Sequence, residues 1–153
     1  MTDDDREGFE PQDAPDDAGD PGVGGGGPTR WRQPIAATAA HVYTECARIW
    51  NPIHTDPAVA HAAGLPGIIL HGTATLALGV SRIVEAFADG HPERVRRISG
   101  RFGAMVALPS AIETQVLARV PATDGTAHEI WFEVRNAEGD PAVRAGCVVV
   151  AVP

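Results

Sequence analysis

Between Thr73 and about Ala88 the chain carries a helical pattern with almost no polar face in its first half, where Ala74, Leu76, Ala77, Leu78, Gly79 and Val80 lie close together. A helix apolar on most sides is a buried one, so the rest of the fold has to be wrapped around it. Small residues at Ala74, Ala77, Gly79 and Ser81 would let other backbone approach it closely. After Asp89-Gly90 the apolar residues stop recurring at helical spacing and begin to alternate. Strands are predicted over Val95 to Leu108, Ala111 to Val120, His128 to Arg135 and Ala142 to Val152. Gly100 and Gly103 are placed for bends or bulges in the first of these. A helix followed by four consecutive strands, with no strand–helix–strand repeat, is an α+β layout.

The first half is shorter in period and richer in turns. Thr38 is a candidate N-cap for a helix reaching Ile49, with Val42, Cys46 and Ile49 at helical spacing. Asn51-Pro52 ends it, because proline drives the preceding residue out of the helical region. His54 is thereby held beside a turn. Asp56-Pro57 reads as the N-cap and first position of a second short helix, running to about Ala63 and closed by Gly64. An apolar run, Gly67 to Leu70, ends at His71-Gly72, where the long helix begins. Helix N-termini present unpaired N–H groups able to hold an oxyanion. A histidine on a rigid turn beside an amide-lined helix start suits acyl-thioester chemistry. In that reading His54 is the catalytic acid/base, Asn51 shapes its turn, and Gly72 N–H with its neighbour His71 binds the thioester. The structural alternatives are a packed histidine at His54 and a tight backbone approach at Gly72.

Tyr43, Asn51, Pro52, Ile53, His54, Asp56, Ala60, Ile69, His71 and Gly72 stand in an order and spacing that resembles the MaoC-like dehydratases, the (R)-specific enoyl-CoA hydratases. The likeness runs from about Pro34 to the C-terminus. It implies a hot-dog fold, in which one long central helix is wrapped by a curved antiparallel sheet. It implies addition of water to a 2-enoyl-CoA, with coenzyme A as part of the substrate and no separate cofactor. It also implies two hot-dog units side by side, as a homodimer or as a heterodimer with another hot-dog protein. One position departs from the pattern: the catalytic aspartate of the resembling enzymes falls on Ile49, and the serine before it on Ala47. Glu45, four residues earlier on the predicted helix, is a candidate replacement. The departure keeps two other roles open on the same fold, a non-catalytic subunit that completes a partner's site and an acyl-CoA thioesterase.

Charge divides the chain in two. Residues 1–29 hold nine acids against Arg6, which is the whole formal charge of −8; the other 11 acids balance 11 arginines. That stretch includes Gly24 to Gly27 and few large apolar residues, so it is expected to be a disordered tail, with a single domain over residues 30–153. The tail also stands where some resembling chains carry a first hot-dog unit, which leaves the second unit to another chain. Nucleic acid is an unsuitable partner, since no basic stripe is offered to phosphates. Arg94, Arg96, Arg97 and Arg101 cluster at the first strand, either as solvated side chains or as contacts to coenzyme A phosphates, although Arg96 and Arg97 face opposite ways. No apolar run reaches membrane-spanning length and no signal peptide is apparent. With only Cys46 and Cys147, a reduced cytoplasmic protein is expected. His54, His61 and His71 lack the usual ligand spacing, so no metal is expected.

Overall fold

A computed structural model describes residues 30–153. The acidic stretch 1–29, expected to be a disordered tail, lies outside the described residues. Five strands form one antiparallel sheet: β1 (Arg30–Ile35), β2 (Val95–Phe102), β3 (Ser110–Pro121), β4 (Ala127–Arg135) and β5 (Pro141–Ala151). Their order is β1-β3-β4-β5-β2. Among the described residues three α-helices, α1 (Ala39–Ala47), α2 (Pro57–Ala62) and α3 (Gly72–Phe87), precede β2.

α3 packs along the sheet, as the hot-dog resemblance implies. Its Ala74, Val80 and Ile83 join Phe132 and Val134 of β4 and Val143, Val148 and Val150 of β5 in one core. Gly79 sits where the approach is tightest. A Cβ there would stand 2.7 Å from Val134 Cγ2 and 3.1 Å from the Phe132 ring, so a side chain would push the helix off the sheet. The opposite stripe, with Thr73, Ala77, Ser81 and Glu85, is exposed. Small size at Ala77 and Ser81 is therefore not a packing device. The sheet curves through register shifts in β2 between Ser99 and Arg101, in β3 between Val116 and Ala118, and in β4 between Phe132 and Val134. At the first of these Gly100 faces the bulged β5 backbone, where Ala145 takes φ 46°.

Three expectations are corrected. Among the described residues there are five strands, not four: β1 pairs with β3 from Arg30↔Gln115 to Ile35↔Ser110. It is a short edge strand with alternate residues exposed and a proline inside it, so little burial is written into its sequence. β2 stops at Phe102 rather than Leu108. Beyond it Gly103 N and Ala104 N bond to the carbonyls of Ala142 and Pro141, and the chain turns so that Leu70 N reaches Val106 O and Leu108 N reaches Ile68 O. Finally, α1 ends at Ala47, because Arg48 adopts a left-handed conformation (φ 56°). Its buried positions are Ala40 and Thr44; Val42, Cys46 and Ile49 are exposed. Thr38 precedes the helix but makes no side-chain cap.

Candidate functional site

The turn carrying His54 is built from local hydrogen bonds. Asn51 stands at its head with extended backbone, and its side-chain Oδ1 accepts from Ile53 N at 3.3 Å. Its carbonyl accepts from His54 N at 3.1 Å, closing a single 3-10 turn over Pro52–His54. Asp56 follows directly as the N-cap of α2, its carboxylate accepting from Ala58 N at 2.8 Å. That bond occupies Asp56, which does not line the site. His61 is exposed on α2 and bonds Pro66 O at 3.2 Å.

From the turn, His54 leans onto the segment before α3. Its Nδ1 lies 2.8 Å from the Ile69 carbonyl. A carbonyl only accepts, so Nδ1 carries the hydrogen and Nε2 is left as the nitrogen available for proton transfer. On its other side His54 stacks on His71, ring centroids 3.7 Å apart and planes 22° from parallel. His71 is 3% exposed. Its Nε2 is 3.2 Å from Thr44 Oγ1, and the Tyr43 ring lies 4.9 Å away. Burial, then the nearby His54, lower the His71 pKa from the ordinary histidine value, and the Ile49 backbone opposes them. His71 is neutral at neutral pH.

These residues border a cleft of about 370 Å³ lined by Ile49, His54, Ile69 to Thr73, Thr75, Phe102 to Val106 and Ala142. Its floor is the start of α3, whose first N–H groups have no helical carbonyl to meet. Its walls are apolar. Of the predicted site residues, the structure brings His54, His71 and Gly72 into this cleft and leaves Asn51 behind it as the support of the turn. Ile49 lines it too, and is 41% exposed. Glu45 does not: it is exposed on α1, and the end of that helix at Ala47 separates it from Ile49. Thr44, Phe102 and Met105 were missed. Thr44 had a readable signal, sitting four residues after Ala40 on the same helical face; Phe102 and Met105 come to the cleft from the end of β2 and the segment beyond it. A smaller hollow of about 170 Å³ between Arg32, Ile112 and Asn136 shares no residue with the cleft.

Arg94 donates to Ala151 O and pairs with Asp89, Arg96 donates to Thr126, and Arg97 pairs with Glu129. None of the four clustered arginines lines the cleft. Among the described residues no three His, Cys, Asp or Glu side chains are grouped as metal ligands would be, and no helix is long and apolar enough to cross a membrane.

A model of the "MaoC like domain" matches residues 27–137. The peroxisomal multifunctional enzyme type 2 of Mus musculus is 34% identical over 104 residues, which cover 68% of this chain and 13% of that protein. The chain spans well under half the length of the curated relatives it matches first. Among solved structures, full-length peroxisomal multifunctional enzyme type 2 from Drosophila melanogaster superposes with a TM-score of 0.76 at 25% identity, over 94% of this chain and 24% of that one. An (R)-hydratase from A. caviae gives 0.70 at 22% identity, over 81% of this chain and 92% of that one, a likeness of fold. With the family model spanning most of the described residues and the histidine turn and helix start in place, this chain belongs to the MaoC-like domain family.

Proposed function

We propose that this protein adds water across the 2,3 double bond of a 2-enoyl-CoA thioester, or removes it from the 3-hydroxyacyl-CoA in the reverse direction. The observation that carries this reading is the bond from His54 Nδ1 to the Ile69 carbonyl, made inside an apolar cleft at the head of α3. It presents Nε2 as a base. Nε2 takes a proton from water as the oxygen bonds to C3, and the π electrons of the double bond move onto the thioester as an enolate. The N–H of Gly72 and the positive end of α3 stabilise that charge. Protonation at C2, from the imidazolium just formed, completes the addition. Coenzyme A enters as part of the substrate, and no other cofactor takes part.

Purified protein should therefore hydrate crotonyl-CoA or a longer enoyl-CoA, and His54→Ala should abolish the reaction. Unchanged activity in that variant removes His54 from the mechanism.

A second reading has its own observation. Ile49 stands where the resembling hydratases carry a carboxylate, and no acidic side chain lines the cleft. Losing a general acid/base typically lowers rates by about 10²–10⁴. A subunit that binds the thioester while a partner hot-dog chain does the chemistry would tolerate this. Wild-type protein inactive alone and active with a partner would decide for that role. In either reading we place the protein in a reducing compartment such as the cytoplasm, on its two free thiols.

A further inference from the structure

Four polar side chains are buried among the described residues: Thr44, His71, Thr75 and Thr114. Three of them are joined through His71 at the cleft. Thr75 Oγ1 donates to the His71 carbonyl at 3.2 Å, and Thr44 Oγ1 lies 3.2 Å from His71 Nε2. Buried polar groups cost stability unless each is matched, so a cluster of them is expected where it serves the site. The outer end of this one is the His54 ring, stacked on His71.

We propose that Thr44 and His71 are positioning residues that hold a neutral imidazole against His54, so that the extra proton the stacked pair takes up during the reaction goes to His54 Nε2. This rests on the hydratase reading and specifies how His54 works without the carboxylate. Two imidazolium rings with centroids 3.7 Å apart would repel, so the pair takes up its protons one at a time. The two rings differ in where a second N–H could go. On His54, Nδ1–H already has the Ile69 carbonyl, and protonation adds a hydrogen at Nε2 toward the cleft. On His71, Nε2 is engaged with Thr44 and Nδ1 is buried, with the Ile49 backbone beside the ring. Protonating His71 would place the charge on a ring only 3% exposed, whereas His54 is part-exposed at the cleft, so His71 is the costlier place for it. The other groups around the pair do not reverse this. Tyr43 contributes a ring from α1, and the remaining cleft-lining side chains carry no titratable group. The lowered His71 pKa is in keeping with it.

The test is long-range ¹H–¹⁵N NMR of the histidine rings in the full chain, with enoyl-CoA kinetics alongside. In wild type, His54 should keep Nδ1 protonated, bonded to the Ile69 carbonyl, while His71 stays a single neutral tautomer at neutral pH and resists protonation as the pH is lowered. Thr44→Val should let His71 populate both tautomers; Thr44→Ser should restore the single one. Where activity is measurable, Thr44→Val should lower kcat by roughly ten- to a hundredfold with KM little changed, as for a misplaced catalytic group. His71 titrating like an ordinary histidine in wild type overturns the proposal, and so do unchanged ring tautomers in a folded Thr44→Val protein. Should Thr44→Val fail to fold, the wild-type titration and Thr44→Ser decide. Protein that never hydrates an enoyl-CoA, yet shows the expected ring behaviour, defeats the hydratase reading and leaves the positioning pair standing.

Discussion

The ring of Phe102 lies against Gly72, its Cδ1 3.0 Å from where a Cβ on that glycine would stand. Phe102 is 52% exposed and ends β2, so its ring is free to move outward; the α3 backbone beneath it is not. Gly72→Ala should therefore fold with stability changed by less than about 1 kcal/mol, since helix propensity gains what the contact loses. Its effect should fall on binding. A methyl group at the helix head narrows the cleft beside the Gly72 N–H and moves Phe102 from its wall, and KM for an enoyl-CoA should rise by roughly tenfold or more. Thermal melts and steady-state kinetics on the same preparation check both parts, and a large loss of stability with intact KM would contradict the assignment.

If Ile49 holds the place of the hydratases' carboxylate, as the resemblance implies, Ile49→Asp returns one to it. Because Ile49 is exposed at the cleft wall rather than enclosed, the aspartate keeps contact with water. The penalty for burying an unpaired charge is therefore mostly avoided. The variant should melt within a few degrees of wild type and hydrate crotonyl-CoA faster, by about 10²-fold or more if the carboxylate takes up acid/base work. A folded variant that binds ligand and gains no rate would mean that Ile49 does not occupy the water-activating position.

Much of this arrangement is legible in the sequence because it is local. The Asn51-Pro52 turn, the Asp56 cap and the start of α3 at His71-Gly72 each follow from neighbouring residues, and the structure builds each from short-range hydrogen bonds. What escaped is long-range. Thr44 reaches His71 across 27 residues, and Phe102 meets Gly72 only because β2 ends at the mouth of the cleft. The strand predicted through Leu108 failed for the same reason. Its apolar residues continue past Phe102, but after the last bonds to β5 at Gly103 and Ala104 the partner from Val106 on is the segment before α3. At Glu45, helical spacing suggested a substitute carboxylate, and the left-handed residue at Arg48 removed it.

Acid should weaken the fold by a path that runs through His71. Its folded pKa is lowered, by burial first and then by His54, so the native state resists a proton that the unfolded chain accepts near pH 6.5 or about that value. The contribution is fully present above that pH. As pH falls below it, the unfolded state binds the proton first and stability declines until the lowered native pKa is reached. His128, lowered by burial and by Arg119, acts with the same sign. Urea midpoints should fall between about pH 7.5 and pH 5.5, and His71→Gln should flatten that slope. A slope unchanged by the substitution would assign the acid sensitivity elsewhere.

Assembly is the remaining expectation, and β2 is the edge that suits it. The sheet ends in β1 and β2. β1 is six residues long and contains Pro34, whose missing N–H weakens it as a template. β2 is longer, exposes Ile98 and Phe102, and adjoins the cleft whose rim also exposes Ile49 and Met105. A second hot-dog unit paired along β2 would cover those side chains and close the open side of the cleft. The arginines on this strand guard the edge against indiscriminate pairing. We therefore expect a dimer formed through β2, with a second copy or with another hot-dog chain. Light scattering on the full chain at micromolar concentration should give twice the chain mass, and Ile98→Lys should reduce it to the monomer without unfolding. A monomeric wild type would rule out the homodimer and direct the search to a different hot-dog partner. A dimer indifferent to Ile98→Lys would move the interface away from β2.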